Sequence, residues 1–146
     1  MSDLTFFIHA TAKGAGKDRE GVISVDGHSV RFSAPASMGG KGVGASPETL
    51  LISAVTACYS LTLLALLQKH RLPCTEIAVS TDGVVTGFPQ HDVYSRVVVS
   101  PTYHGADAAR SEEYKAAAVE ARDRCFIGQT VHVGGVAYDV GEVSLS

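Results

Sequence analysis

Three observations predict an α+β fold for this 146-residue chain. From Ser46 to about His70 the sequence is apolar, with no glycine and no proline beyond Pro47. From Asp107 to about Arg124 it reads DAARSEEYKAAAVEARDR, alanine-rich and without either helix breaker. The remainder divides into short runs of β-branched and aromatic residues separated by glycine, proline and aspartate. The resulting order is βββ-α-ββ-α-β, antiparallel-rich sheets wrapping two long helices.

Taken in order, Thr5, Phe6, Phe7, Ile8, His9 and Ala10 form the first expected strand. Gly21 to Val25 and His28 to Ser33 flank Asp26-Gly27, a dipeptide that favours a two-residue hairpin turn. The stretch Met38-Gly39-Gly40-Lys41-Gly42-Val43-Gly44 lacks the GxxxxGK[ST] spacing of a phosphate loop. It reads as a flexible loop leading into a helix start. Ser46 supplies a hydroxyl N-cap, and Pro47 occupies the first helical position, where its missing N–H is not needed. Lys69, His70 and Arg71 suit the negative end of that helix. Thr75 to Thr86 and Val93 to Tyr103 are two further strands joined through GFPQHD. In the second helix Tyr114, Ala117, Ala118, Ala121 and Cys125 share one face. Val131 to Leu145 is the last expected strand, with Gly134-Gly135 near its start. No repeat or linker divides the chain, which reads as a single domain over residues 1–146.

Charge and composition narrow the function. A net charge of −3 and a pI near 6.0 argue against nucleic acid or an acidic membrane surface as partner. Leu50 to Leu67 is long enough to make a membrane span thinkable, but Ser53, Thr56, Ser60 and Thr62 interrupt it. The helix is nevertheless apolar all round, and so short a sheet cannot cover both of its sides. A second subunit could, and a homodimer is expected. Three cysteines, and no basic region ahead of the apolar run Leu4 to Ala10, fit a reducing cytoplasmic setting. The six histidines show no metal-ligand spacing, and no GxSxG elbow is present.

Chemistry then rests on cysteine. Cys58 lies mid-helix in the most apolar stretch, where burial opposes formation of the reactive thiolate. One reading is a small core residue. The other is a nucleophile paired with Cys125, which ends the buried stripe of the second helix. Crossing helices could bring two such thiols together, and sequence alone leaves the choice open. Cys74, after Pro73 at a strand entrance, reads as structural.

The blocks GASPETLLISAVTACYSLTLLALL, LPCTEIAVSTDGVV and AAVEARDRCFIG resemble the OsmC/Ohr family of thiol-dependent hydroperoxide reductases across nearly the whole chain. The resemblance rests on Pro-Glu, nine residues, then Cys58, with a second cysteine about 67 residues on. It implies an OsmC-like fold, an intertwined homodimer, and a cofactor-free peroxidase for organic, fatty-acid-type hydroperoxides. Cys58 would be the peroxidatic nucleophile, and Cys125 would close a disulfide with it. A dithiol, implied to be a lipoyl-bearing protein, would reduce that disulfide. Two departures stand out: Cys125 is followed by Phe126 where family members commonly have proline, and the cap is Ser-Pro-Glu where Asn-Pro-Glu is frequent.

A free cysteine has a pKa of about 8.5, so Cys58 needs a nearby cation or donor. The helix N-terminus is too far: Ser46 lies about 18 Å away at roughly 1.5 Å per residue. By its place in the chain Arg19 matches the family's activating arginine. Arg31 is the rival, and either could instead be a solvated surface residue. Glu48 resembles the glutamate that holds this arginine, or is an ordinary first-turn carboxylate. Glu48 and Cys58 are about 15 Å apart on one straight helix, so an arginine bridging both requires Glu48 of the partner subunit. An apolar substrate pocket is expected near Tyr59, Leu61 and Phe126. Two other classes fit the same residues: a non-enzymatic protein binding a small apolar ligand, and a redox sensor with slow turnover.

Overall fold

The computed structural model describes residues 2–146. The backbone forms two compact units, one ending at Leu50 and the other spanning Leu51–Ser146, so the division falls early in the long helix.

In the first unit β1 (His9–Lys13), β2 (Glu20–Val25) and β3 (His28–Ser33) form an antiparallel sheet in that order. Asp26 and Gly27 both take positive φ, 48° and 79°, the geometry of a type I′ turn, whose twist matches that of the flanking strands. That hairpin also sets where β1 can begin. His9 pairs with Ser24, next to the end of β2, so the expected strand over Thr5–Ala10 slides forward to His9–Lys13. Leu4, Phe6 and Phe7 lie before the ladder and are exposed.

The glycine-rich loop is not loose. Ala45 N–H donates to Arg31 O at 2.8 Å, Ser33 N–H to Ala45 O at 3.1 Å, and Val43 N–H to Ser33 Oγ at 2.9 Å. The expected flexible loop is therefore laced onto β3. Gly44 makes this possible: its φ is +68°, and a Cβ there would stand 2.1 Å from Arg31 O. The lacing delivers Ser46 to the start of α1 (Pro47–Lys69), where its Oγ accepts from Thr49 N–H at 3.1 Å.

The second unit contains the rest of α1, then β4 (Glu76–Thr86), β5 (Val93–His104), α2 (Ser111–Arg124), α3 (Phe126–Val133), β6 (Ala137–Val140) and β7 (Ser144–Leu145). The hydroxyls inside α1 bond back one turn: Thr56 to Ile52 O, Ser60 to Thr56 O and Thr62 to Cys58 O. Past Lys69 the chain turns at Arg71, with φ of 53°, and Leu72 N–H reaches Leu67 O at 2.9 Å in a Schellman-type closure. The Arg110 guanidinium donates to Arg71 O at 2.9 Å from across the unit. By length and hydropathy α1 matches a membrane span, with mean hydropathy 2.2, and 28% of that window is buried.

β4 and β5 pair antiparallel over their full length, and β6 and β7 both run parallel to β5. The parallel pairing follows from the helical crossover between β5 and β6. Two expectations are corrected here. The second helix is not long: it runs 14 residues from Ser111, after a 3-10 turn over Ala108–Arg110. The last strand does not begin at Val131. Residues 126–133 form α3, and the remainder divides into β6 and β7. The β-branched run TVHV suggested a strand, but Gln129 N–H bonds to Cys125 O at 2.8 Å and Thr130 Oγ1 to Phe126 O at 2.8 Å. Gly134 then closes the helix on the carbonyls of Thr130 and Val131.

The core lies in the second unit. Val55, Tyr59, Leu63, Leu66 and Leu67 of α1 pack with Val97, Val99 and Tyr103 of β5 and with Tyr114, Ala117 and Ala121 of α2. Every second residue from Val97 to Tyr103 is buried, the period-2 signature of a strand with one face on the core.

Gly44→Ala is expected to cost at least about 2 kcal/mol in unfolding free energy, through the left-handed φ and the backbone clash together. Gly16→Ala, with φ of +58° but open space around it, carries only the conformational cost, about 1–2 kcal/mol. Urea titrations of both variants measure the difference.

Candidate functional site

Cys58 and Cys125 come together where α1 crosses the α2–α3 junction. Cys125 ends α2, with φ −73° and ψ 97°, and is also the residue from which α3 starts. It is fully buried, whereas Cys58 is half-buried. The Cys125 S–H points at Val55 O, 3.8 Å away, one turn before Cys58 on α1. The two thiols lie within interaction range of each other. Burial pushes the Cys125 thiol above its ordinary range, and the neighbouring Cys58 adds to this. The neighbouring Tyr138 hydroxyl and Gly128 N–H pull the other way.

Two tyrosines lock this crossing. Tyr59 Oη donates to Ala118 O at 2.9 Å, and Tyr103 Oη to Tyr114 O at 2.9 Å. The Tyr103 and Tyr114 rings meet with centroids 4.9 Å apart. Tyr59 is therefore a core brace and leaves no surface for a ligand, contrary to its expected place in a pocket. Leu61 and Phe126 are 70% and 71% exposed, so both present apolar surface to solvent. Cys74 is half-buried, and its S–H donates to Glu76 O at 3.2 Å.

In the first unit, Arg19 follows a 3-10 turn between β1 and β2 and donates from Nε to Gly16 O at 2.7 Å. Arg31 is differently engaged. Its Nη2 pairs with Glu20 Oε1 at 3.0 Å, and Lys41 bonds the other oxygen of the same carboxylate. Lys41 first and Arg31 second hold the Glu20 carboxyl down to about 2. Arg31 thus belongs to a surface ion cluster, while Arg19 sits at the turn that the sequence marked. Glu48 lies half-buried in the first turn of α1. Among the described residues, no group of three or more His, Cys, Asp or Glu side chains is placed to hold a metal ion.

Sequence reading missed Tyr138 and Gly128. Tyr138 is 5% exposed on β6, and its hydroxyl has no hydrogen-bond partner among the described residues. Gly128 accommodates the Tyr138 ring: a Cβ there would fall 2.2 Å from it. Alternation along AYDV could have marked Tyr138 as inward-facing, but nothing local ties it to a cysteine 13 residues earlier.

A half-buried and a buried cysteine thus meet at a helix junction of an α+β fold. The sequence profile of the OsmC-like proteins matches residues 39–139, and the chain belongs to that family. A relative from Bacillus subtilis (strain 168), described as the uncharacterized protein YmaD, is 26% identical over 102 residues, covering 70% of this chain and 67% of its own. Two solved structures share the fold. The OsmC-like protein of Mycoplasma pneumoniae superposes with a TM-score of 0.78 at 18% identity, covering 99% of each chain. An organic hydroperoxide resistance protein from Elizabethkingia anophelis gives 0.74 at 19% identity, covering 99% of this chain and 100% of its own.

Two outcomes follow from the burial. Iodoacetamide should modify Cys58 and Cys74 in the folded protein and Cys125 only after denaturation, as read by peptide mass spectrometry. Tyr59, Tyr103 and Tyr138 are also raised, chiefly by burial. For all four groups the folded pKa exceeds the unfolded one. Their stabilising contribution is complete below the unfolded values, about 8.5 for cysteine and 10 for tyrosine, and is lost as pH rises through the folded values. The urea midpoint should hold steady from about pH 7 to 8 and fall above about pH 9.

Proposed function

We propose that this protein is a thiol-dependent peroxidase that reduces organic, fatty-acid-type hydroperoxides to alcohols. The observation carrying this reading is the pairing of a half-buried Cys58 with a fully buried Cys125. A peroxide can approach the first sulfur, and the second waits behind it, shielded from solvent. Family membership supports the reading, as does the name of the Elizabethkingia relative.

In the proposed cycle the Cys58 thiolate attacks the hydrogen-bearing peroxide oxygen, the O–O bond breaks, and the departing alkoxide takes a proton from water and leaves as the alcohol. Cys58 becomes a sulfenic acid. The Cys125 thiol condenses with it, releasing water and forming the Cys58–Cys125 disulfide. A dithiol, proposed to be a lipoyl-bearing protein, restores both thiols by exchange. Sulfur carries all of the redox change, so the cycle uses no cofactor. Arg19, held by Glu48, is the proposed cation that favours the Cys58 thiolate. Arg31 is the weaker candidate because Glu20 already holds it. Leu61 and Phe126 supply apolar surface suited to an alkyl chain.

The proposed assembly is a homodimer in the cytoplasm. Most of the apolar α1 window is unburied in a single chain, and Leu61 and Leu64 of α1 are exposed. A second copy would cover them and could bring Glu48 of the partner subunit to Arg19.

Steady-state turnover of cumene hydroperoxide with dihydrolipoamide, run beside hydrogen peroxide, tests the reading. Cys58→Ser should abolish turnover, Cys74→Ser should retain it, and Arg19→Ala should slow the reaction with peroxide more than Arg31→Ala. Turnover persisting in Cys58→Ser would sink the mechanism. Ligand binding without turnover in the parent protein would favour a binding protein instead.

One equivalent of organic hydroperoxide should consume both thiols and yield a Cys58–Cys125 peptide by mass spectrometry. In Cys125→Ser, Cys58 should over-oxidise to sulfinic acid. A stable Cys58 sulfenic acid in the parent, with Cys125 unreacted, would point to a sensor.

A further inference from the structure

The last turn of α2 is tied to the end of α1 by a chain of three polar side chains. His70, the residue after α1, places Nε2 at 3.0 Å from Glu120 Oε1. The other oxygen of that carboxylate pairs with Arg124 Nε at 3.0 Å, one helical turn further along α2. His70 first, then Arg124 and Lys69, hold the Glu120 carboxyl below its usual range. Arg124 immediately precedes Cys125, so the chain reaches the backbone that carries the buried thiol. Other holds on this turn are few. Cys125 N–H donates to Ala121 O at 2.9 Å, and Gln129 Nε2 of α3 donates to Arg122 O at 3.0 Å. The Cys125 S–H faces Val55 O at 3.8 Å, and a thiol is a weak donor. Helix ends open before helix centres do, and opening at this end is what would bring Cys125 to solvent.

We propose that His70, Glu120 and Arg124 form a latch between α1 and α2 that sets how often the last turn of α2 opens and Cys125 meets solvent. The latch stands apart from the peroxidase reading, because it governs the access of any thiol-reactive molecule to this sulfur. Glu120 is its centre, since one carboxylate serves both ends. His70 makes the link between helices, and Arg124 carries it to the neighbour of Cys125. His70 and Arg124 are exposed and Glu120 is half-buried, so the latch works in water. Each contact is therefore weak and is screened by salt. The rest of α2 has firmer fastenings that salt does not reach in the same way. Tyr59 Oη donates to Ala118 O inside the core, and Arg110 donates to Arg71 O near the start of the helix. Releasing the latch thus loosens the last turn while the crossing of α1 and α2 persists.

Thiol labelling tests this without peroxide. In the Cys58→Ser/Cys74→Ser background Cys125 is the one remaining thiol, and prolonged incubation with excess iodoacetamide reads its rare exposure in the folded protein. Glu120→Ala should speed that labelling about threefold, the scale of an exposed ion-pair network. His70→Ala should also speed it, and the two substitutions together should be no faster than Glu120→Ala alone, because they break one chain. Lys115→Ala, which removes the pair with Glu112 at the start of α2, should leave the rate unchanged. Raising potassium chloride from about 0.02 M to about 0.5 M shortens the Debye length from roughly 20 Å to roughly 4 Å. It should speed labelling with Glu120 present and have no effect in Glu120→Ala; iodoacetamide is uncharged, so salt does not act through the reagent. Unchanged labelling in Glu120→Ala, or an equal salt response with and without Glu120, would overturn the proposal. So would a faster rate that only follows a lowered urea midpoint, since Cys125 would then be exposed by global unfolding.

Discussion

The hydrogen bond from Tyr59 Oη to Ala118 O is the constraint on which the second unit depends. It joins the buried face of α1 to the backbone of α2, and it forms because α2 presents small residues there. Ala117, Ala118 and Ala121 are all buried, and larger side chains would hold the helices apart. With that spacing fixed, Cys125 Sγ comes within 3.8 Å of Val55 O, and Cys58, three residues later on α1, comes to face Cys125. Tyr103 repeats the device one element away, linking β5 to the Tyr114 carbonyl. The thiol pair is thus a consequence of how α1 and α2 are fastened.

Much of this was legible in the sequence where a local signal governs. Ser46-Pro47 marked the start of α1, and Asp26-Gly27 marked the first hairpin, because caps and turns are set by the residues that form them. The inward face of α2 followed from helical spacing, down to Cys125. The misreadings share a different cause. Thr5 to Ile8 has strand composition, but the β2–β3 hairpin sets the register and leaves those residues outside the ladder. TVHV has strand composition too, yet tertiary context made it the end of α3. The glycine loop looked mobile because glycine is permissive. Its positive-φ positions instead let it fold tightly back on β3.

At the site, the cysteines were legible and their environment was not. Spacing could suggest that Cys58 and Cys125 meet, but which of them solvent reaches depends on burial, a property of the packed structure. Tyr59 illustrates the point. Next to Cys58 in sequence, it seemed a natural pocket residue, whereas on the helix it projects to the core and braces α2. Tyr138 is the converse, far from either cysteine in sequence and against one of them in space.

α1 carries two demands that pull in different directions. Its inward face supplies much of the core, so it must be apolar there, while Ser53, Ala54, Ala57, Leu61 and Leu64 are apolar or weakly polar and exposed. An exposed apolar stripe of this kind is costly for an isolated chain, and large patches of this sort are typical of interaction surfaces. The proposed homodimer meets that demand with the same helix that carries Cys58. Chemistry and assembly would then be coupled. Covering the outer face of α1 would lower the dielectric around the half-buried sulfur, which strengthens any interaction with a cation but penalises an unpaired thiolate. A nucleophile on such a helix needs its cation supplied along with the cover, and an arginine oriented by Glu48 of the partner subunit would meet both requirements at once.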